Sequence, residues 1–273
     1  MYKFGMVGLM ATLLAWMPIS DPAHGWDSEG EGLAAAQQEW NWQGRVERGD
    51  AIEVIGVNGE INAERASGSE VVVEALLEGK KSDPKSVKME VVEHDGGVTI
   101  CAVYPTPEGE QPNECLPGGK GRTSIKKNDV SVEFTVRVPA GVNLIGRTVN
   151  GEVRALGIEG DVEVHTVNGD VDISASGLAE GTTVNGSITA SMGRADWSGK
   201  LGFTTVNGSV TLELPADLSC DVSVSTVNGQ IASDFALVVE GRFSPRSLKG
   251  TIGDGGRGLI IKTVNGSVQI RRA

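Results

Sequence analysis

The chain reads Thr-Val-Asn-Gly at residues 148–151, and this tetrapeptide recurs at 166–169, 183–186, 205–208, 226–229 and 263–266. A variant copy, Gly-Val-Asn-Gly, occupies residues 56–59. Each copy is followed by one polar residue and then by Val or Ile, which is the pattern of a turn leading into a strand. From Asn150 onward the Asn residues are separated by 18, 17, 22, 21 and 37 residues. One turn signal per repeat at this spacing predicts a β-solenoid or a related repeat array.

The longest gap contains a degenerate copy, Ser247–Ile252, which divides the gap into 21 and 16 residues. The sequence therefore predicts an all-β, single-chain, β-helix-like solenoid with repeats of about 16–22 residues. Apolar and polar residues alternate upstream of the turns, as in Val162, Val164 and Thr166, and this period of two predicts half-buried strands. Val or Ile then fills one equivalent position after every turn. Strands stacked roughly 4.8 Å apart would align these side chains into aliphatic ladders.

The Asn-Gly pair of each repeat is predicted to serve the backbone. Both residues tolerate positive φ, so the pair suits a tight turn. Stacked Asn amides can also hydrogen-bond from one repeat to the next. The alternative is that the row of Asn side chains also contacts a ligand. The predicted turn residues are Asn58, Gly59, Asn150, Gly151, Asn168, Gly169, Asn185, Gly186, Asn207, Gly208, Asn228, Gly229, Asn265 and Gly266.

The domain organisation is predicted from the ends of the pattern. Residues 1–25 have the features of an export signal, with Lys3, the apolar run Phe4–Met17 and a small-residue cleavage site at Ala23–Gly25. An uncleaved membrane anchor is the alternative. Residues 26–44 form a polar lead-in with three Trp and a helical turn expected at Leu33–Glu39, and we expect this lead-in to cap the N-terminal end. Residues 45–273 form the strand-repeat domain, with almost no helix and a Pro- and Gly-rich loop excursion at 104–129.

Three cysteines leave one unpaired in an exported chain. Cys101 and Cys115 flank a short segment with three Pro, and a disulfide between them would stabilise the fold by roughly 3 kcal/mol. We expect these two to pair. Cys220 lies in an alternating segment, which favours a small buried side chain in a strand over a reactive thiol.

The formal net charge of -12, without a long basic stripe, argues against nucleic acid or an anionic membrane as the main partner. A neutral or cationic partner fits the overall charge better. We expect no stable membrane insertion after signal cleavage, since no second long apolar segment follows.

Two carboxylates in equivalent turn positions, Glu152 and Asp170, are the candidates for ligand or metal binding. With a basic partner they could serve a polysaccharide lyase or hydrolase, and stacked carboxylates could hold calcium. The alternative is a solvated acidic face, because the same position becomes Ser or Gln in later repeats. The neighbouring charged residues considered are Asp161, Glu163 and Asp172, with Arg154 and His165 as bases. The sequence has no zinc-ligand spacing, nucleophile elbow or phosphate loop, so we predict no metal, cofactor or catalytic residue.

Over about residues 40–273 the chain resembles a bacterial β-strand-repeat family labelled putative adhesin, a domain of unknown function. The resemblance rests on the export signal, the segment Gly96–Pro105, the segment Phe134–Val142 ending in Val-Pro-Ala-Gly-Val, and the serial Thr-Val-Asn-Gly units. It implies the repeat fold and brings no catalytic residues. Fold alone does not give a function.

The expected function is that of a non-catalytic, exported β-solenoid, periplasmic or extracellular, acting as a binding, adhesion or structural module of the cell envelope. An envelope polysaccharide or protein would be its partner. One alternative is a carbohydrate-active enzyme on the same scaffold, which would show convergent carboxylates and a base in a groove. Another is an envelope stress-sensing domain that acts through a protein partner.

The oligomeric state is predicted from the end of the repeat array. We expect a monomer, because Arg271 and Arg272 follow the predicted last strand, Ser267–Ile270, and would discourage pairing at an open edge.

Overall fold

The computed structural model describes residues 36–239 and 246–273. The predicted signal segment 1–25 and Trp26 lie outside the described residues. Within the described ranges the fold is all-β, with two sheets and only two short 3-10 turns, Pro84–Ser86 and Pro117–Gly119. None of the helices there has the length and hydrophobicity of a membrane span. The predicted all-β class and near absence of helix are therefore confirmed for this part of the chain.

Ten strands form sheet A and eleven form sheet B. The strands of sheet A, in spatial order, are β1 (Ala36–Gly44), β4 (Val71–Gly79), β7 (Ser131–Val138), β3 (Ile61–Arg65), β9 (Val153–Ile158), β11 (Val171–Ala175), β13 (Ile188–Met192), β15 (Val210–Leu214), β21 (Val268–Arg272) and β17 (Ile231–Ser233). The strands of sheet B are β18 (Val238–Val239), β19 (Ser247–Ile252), β16 (Cys220–Ser225), β20 (Gly258–Lys262), β14 (Lys200–Thr204), β12 (Ala179–Thr182), β10 (Val162–His165), β8 (Asn143–Arg147), β2 (Ala51–Ile55), β6 (Gly97–Val103) and β5 (Lys88–His94).

From β8 to β17 the chain passes alternately between the two sheets, and each Thr-Val-Asn-Gly unit joins one strand of sheet B to one strand of sheet A. We call each such pair with its turn a rung. Neighbouring rungs pair in parallel and in register, and the aliphatic position after each turn is continuous through Val153, Val171, Ile188 and Val210. These side chains are buried between the sheets. Alternation in the sequence therefore places every second side chain in one shared core.

The turn glycines do not have the conformation expected from the sequence. Positive φ was predicted for the Asn-Gly pairs, yet among these turns only Gly59 has it, at 121°, and no Asn does. The prediction is wrong for the other copies, and the physical reason for Gly is close approach of backbones. A Cβ on Gly208 would lie 2.0 Å from the carbonyl oxygen of Gly186, and one on Gly151 would lie 1.9 Å from that of Gly59.

The other residues of the tetrapeptide also join neighbouring rungs. Each Thr is buried and its hydroxyl donates to the Gly carbonyl of the adjacent rung, at 2.7 Å from Thr205 to Gly186 and 2.8 Å from Thr263 to Gly208. The Asn side chains form the expected ladder, in which each Nδ2 donates to the next Oδ1 over 2.7–2.9 Å. The Val side chains between Thr and Asn are left partly exposed.

The rungs do not stack in sequence order. Strands β20 and β21 lie between β14–β15 on one side and β16–β17 on the other, so Asn265 bridges both Asn207 and Asn228. The segment Ser267–Ile270 is therefore paired on both sides and is not a terminal edge. The prediction that Arg271 and Arg272 guard an open edge is wrong, and the expected monomeric state loses that support.

The degenerate unit Ser247–Ile252 is also not a rung. It forms β19, which runs antiparallel to β16 within sheet B instead of crossing to sheet A. Among the described strands, the short β17 and β18 form the edges at this end of the two sheets.

At the opposite end, an antiparallel strand covers sheet A. The helical turn expected at Leu33–Glu39 is wrong for the described residues from Ala36 onward, because they belong to β1, which pairs with β4. Alternation of polar residues with Trp40 and Trp42 is a strand pattern, and both Trp side chains pack against the core.

The loop excursion replaces the Asn-Gly turn in the first parallel rung. It connects β6 to β7 and contacts the end of the Asn ladder through Tyr104. The Tyr104 side chain is buried, and its hydroxyl donates to the Val130 carbonyl at 2.8 Å. Tyr104 also interacts with Asn58, the first Asn of the ladder. Burial raises the pKa of Tyr104 to about 12. Cys101 and Cys115 form a disulfide that ties the excursion to β6, and Cys220 is free and buried in β16.

We expect Gly208→Ala to destabilise the fold by about 1–3 kcal/mol, because the added methyl group must push two backbones apart. Gly68→Ala is the matched control, since Gly68 has no neighbour within 4 Å of a new Cβ and an ordinary φ. Its effect should stay within about 0.5 kcal/mol. Urea unfolding of both variants measures the difference, and equal effects would contradict the close-approach explanation.

Thiol mapping tests the cysteine arrangement. Burial raises the pKa of the Cys220 thiol to about 11, so little thiolate is present at neutral pH and alkylating reagents should not modify it in the folded protein. After unfolding without reductant, Cys220 should react and Cys101 and Cys115 should remain linked. Mass spectrometry that finds Cys220 bridged to another cysteine would refute the assignment.

Candidate functional site

The two carboxylates proposed from the sequence are used within the turns. The Glu152 carboxylate pairs with Arg154, with Oε1 2.7 Å from Nε and Oε2 3.1 Å from Nη2. Asp170 Oδ1 accepts a hydrogen bond from the Ser187 backbone amide of the next rung at 2.7 Å. The Ser187 hydroxyl in turn accepts from the Ser209 amide at 3.2 Å. This position therefore caps an amide of the neighbouring rung, which explains why Ser can replace Asp there.

No group of three or more metal-ligating side chains occurs in the described part of the chain. The structure does not bring Glu152 and Asp170 together with His165, which lies on β10 in sheet B.

A second set of charges lies on the outer face of sheet B, which is the face turned away from the core. Glu53, Ile145, Glu163 and Glu180 occupy one row across β2, β8, β10 and β12. Arg147 and His165 lie in the next row, two residues further along β8 and β10. We call Glu53, Arg147, Glu163, His165 and Glu180 the charged row. Of these five residues, only Glu163 and His165 were predicted from the sequence as possible members of a site.

Glu53 anchors the charged row at the foot of the loop excursion. Its side chain is only 3% exposed. Oε1 accepts from Arg147 Nε at 2.8 Å, while Oε2 accepts from the Thr99 hydroxyl at 2.9 Å and from the Gly118 amide at 2.8 Å. A buried carboxylate needs such partners, because an unpaired charge in the interior is costly. The Gly118 contact also fixes the disulfide-bonded loop against sheet B.

Glu163 occupies the centre of the charged row. Its Oε1 lies 2.6 Å from His165 Nε2 and 2.9 Å from Arg147 Nη2. The hydrogen bond to His165, with the nearby positive charges, lowers the pKa of Glu163. This carboxylate is therefore ionised and held by two basic side chains at neutral pH.

Glu180 is the neighbour of Glu163 on β12. Partial burial and the negative charge of Glu163 raise the pKa of Glu180, while the nearby imidazole of His165 opposes the shift. A shallow groove of about 250 Å³ runs beside these two carboxylates, and its other lining residues include Asp161, Ile145 and Leu178. Two adjacent carboxyl groups thus have pKa values displaced in opposite directions.

Residues 142–271 match the family described as Toastrack DUF4097. The chain is also similar to solved structures titled a putative cell adhesion protein from Clostridium sporogenes, at 12% identity over 87% of this chain and 100% of that chain with a TM-score of 0.49, and a putative adhesin from Bacteroides fragilis, at 11% identity over 86% and 97% with a TM-score of 0.24. A third, titled a putative lipid binding protein from Parabacteroides distasonis, has 10% identity over 87% and 97% with a TM-score of 0.27. The comparison with curated proteins finds no match. The resemblance to an adhesin-labelled family of unknown function is confirmed by the family match.

Opposite effects of pH are expected for Glu180→Gln and Glu163→Gln. Because the folded-state pKa of Glu180 is raised, its ionisation destabilises the fold as pH rises through that pKa, so Glu180→Gln should raise the melting temperature at neutral pH. The folded-state pKa of Glu163 is lowered, so the ionised Glu163 side chain stabilises the fold at neutral pH. This stabilisation is lost as pH falls through the folded-state pKa. Glu163→Gln should therefore lower the melting temperature at neutral pH and have little effect in acid.

Thermal unfolding of both variants and the parent from neutral pH to about pH 3, below the ordinary pKa of Glu, measures these differences. Shifts of the same sign at neutral pH would contradict the opposed environments of the two carboxylates.

Proposed function

We propose that this chain, whose residues 142–271 match the Toastrack DUF4097 family, is a non-catalytic, exported solenoid that binds or structurally supports a component of the cell envelope. In this proposal the parallel rungs form one solenoid, and the outer face of sheet B is the surface that binds the ligand. The predicted export signal and the disulfide support a location in an oxidising compartment, periplasmic or extracellular.

One observation carries this proposal: the two candidate bases, Arg154 and His165, are each bound to a neighbouring carboxylate. Glu152 is paired with Arg154, and Glu163 is held by both Arg147 and His165. Groups engaged in this way are poor nucleophiles and bases, since reaction would first break a charge-assisted hydrogen bond. They instead fix a polar surface on a rigid sheet, which lowers the entropy lost when a ligand binds.

The outer face of sheet B fits an envelope polysaccharide or an envelope protein. It combines fixed charges with shallow grooves and is continuous over several rungs. Sheet A offers a comparable surface on the other side of the molecule, so each sheet can serve as a control for the other.

A binding screen tests the proposal. The exported form of the chain should bind at least one envelope glycan or envelope protein without altering it. Thr182→Trp, on the outer face of β12, obstructs that face without changing its charge and should reduce binding at least about tenfold, which corresponds to 1.4 kcal/mol. Thr189→Trp, on the outer face of β13 in sheet A, makes the same chemical change and should leave binding intact. Loss of binding with Thr189→Trp alone would place the platform on sheet A.

A carbohydrate-active enzyme is the second candidate, and the charged row gives it specific support. Glycoside hydrolysis requires one ionised and one protonated carboxyl group, and the shifts at Glu163 and Glu180 have those directions. Against it, the groove is shallow and both side chains are partly exposed, so water is not excluded.

Assay of new reducing ends on acidic and neutral polysaccharides separates the two functions. We expect none from the parent protein. Product that disappears with Glu180→Gln would establish the enzyme and refute the non-catalytic proposal.

A further inference from the structure

A larger groove lies on the outer face of sheet B, away from the charged row. It has a volume of about 630 Å³ and is formed by β14, β20, β16 and β19. Lys200 on β14 and Lys249 on β19 stand on its two sides, and Ser223 and Ile260 line it between them. We call this the lysine groove.

Glycine residues make the lysine groove concave. Gly199, Gly250, Gly256 and Gly258 all line it, so several positions present backbone without a side chain. A Cβ on Gly258 would lie 3.1 Å from Cγ of Lys200, so Gly258 leaves room for the Lys200 stem. A volume of this size is typical of sites that hold an organic ligand and far exceeds that of a single inorganic anion.

The charges of the lysine groove favour an anionic ligand. The side chains of Lys200 and Lys249 are exposed and make neither a hydrogen bond nor an ion pair among residues 36–239 and 246–273. Asp221, the one acid among the described residues that line the groove, already accepts from the Thr251 hydroxyl at 3.1 Å and from the Gly256 amide at 3.2 Å. Lys262 lies two residues beyond Ile260 on the same strand and the same face. Two ammonium groups without an ion-pair partner among the described residues therefore lie beside the groove, and its carboxylate, Asp221, is already hydrogen-bonded to Thr251 and Gly256.

The overall net charge of -12 does not remove this local attraction. Exposed charges further apart than about 8 Å are largely screened at physiological ionic strength, so a ligand in the groove experiences mainly the nearby lysines. Among the described residues, no aromatic ring lines the groove to stack on a base, which argues against single-stranded nucleic acid.

We propose that the lysine groove binds a segment of an acidic polysaccharide, with Lys200 and Lys249 contacting sugar carboxylates and Ser223 and Thr251 facing sugar hydroxyls. This inference rests on the proposed function and gives it a ligand class and a place on sheet B. It also differs from the expectation of a neutral or cationic partner, which considered only the charge of the whole chain.

The experiment measures binding of the exported form of the chain to polygalacturonate, with dextran as the neutral comparison. The parent should bind polygalacturonate, bind dextran at least about tenfold more weakly, and lose affinity as salt is raised. Lys200→Gln combined with Lys249→Gln should weaken polygalacturonate binding about tenfold or more and flatten the salt dependence. Circular dichroism should be unchanged, since both side chains are exposed and unpaired.

Lys85→Gln combined with Lys88→Gln is the matched control, because it removes the same charge at the far end of sheet B from the groove. It should leave binding unchanged. Equal losses in both double variants would show attraction to overall charge only and overturn the assignment to the groove. Preferential binding of single-stranded DNA through Lys200 and Lys249 would also overturn it.

The two proposals can fail separately. If polygalacturonate does not bind but the envelope screen finds another ligand for sheet B, the lysine-groove inference fails and the proposed function stands. If neither experiment detects a ligand, both fail.

Discussion

The close contact between successive turns is the constraint on which the structure depends. Each glycine of the Thr-Val-Asn-Gly turns lies directly against the Gly carbonyl of the adjacent rung, and that carbonyl also accepts the buried Thr hydroxyl. A side chain at the glycine would separate the rungs, and an apolar replacement of Thr would remove the hydrogen bond while keeping the packing. The Asn ladder then aligns the outer side of the same turn. Strand pairing and core packing on either side follow from this spacing.

The sequence was sufficient to predict the repeats, the strand alternation and the Asn ladder, because each is a local pattern with a direct structural meaning. The sequence predicted that the Thr side chains face the core, but not that their hydroxyl groups hydrogen-bond to the adjacent rung. Thr at an inward position fits the alternating pattern whether or not its hydroxyl has a partner. Gly was explained by φ, whereas the deciding contact is with the Gly of the neighbouring rung, which is 22 positions away for Gly208 and 92 for Gly151. Such a contact leaves no trace in the local sequence.

Rung order and the charged row could not be predicted for a related reason. All the Thr-Val-Asn-Gly copies present the same ladder, so any copy can stack on any other and the spacing in sequence does not identify neighbours. The charged row joins Glu53 to Arg147, which are 94 residues apart. The disulfide loop contributes the Gly118 amide to the same carboxylate. Only the stacked fold shows that the excursion, which the sequence identified as a long Pro- and Gly-rich loop, is part of the support for sheet B.

The displaced rung has a consequence for the order in which the protein can assemble. Residues up to Leu214 can add one rung after another as the chain emerges, each on a surface that already exists. The rung of β16 and β17 has no such surface, because its parallel partners are β20 and β21, which come later in the chain. Until residues 258–272 have been synthesised, the partner available to β16 is the antiparallel strand β19. Assembly of this end is therefore a closing step that joins two preformed parts, and not the extension of a growing stack.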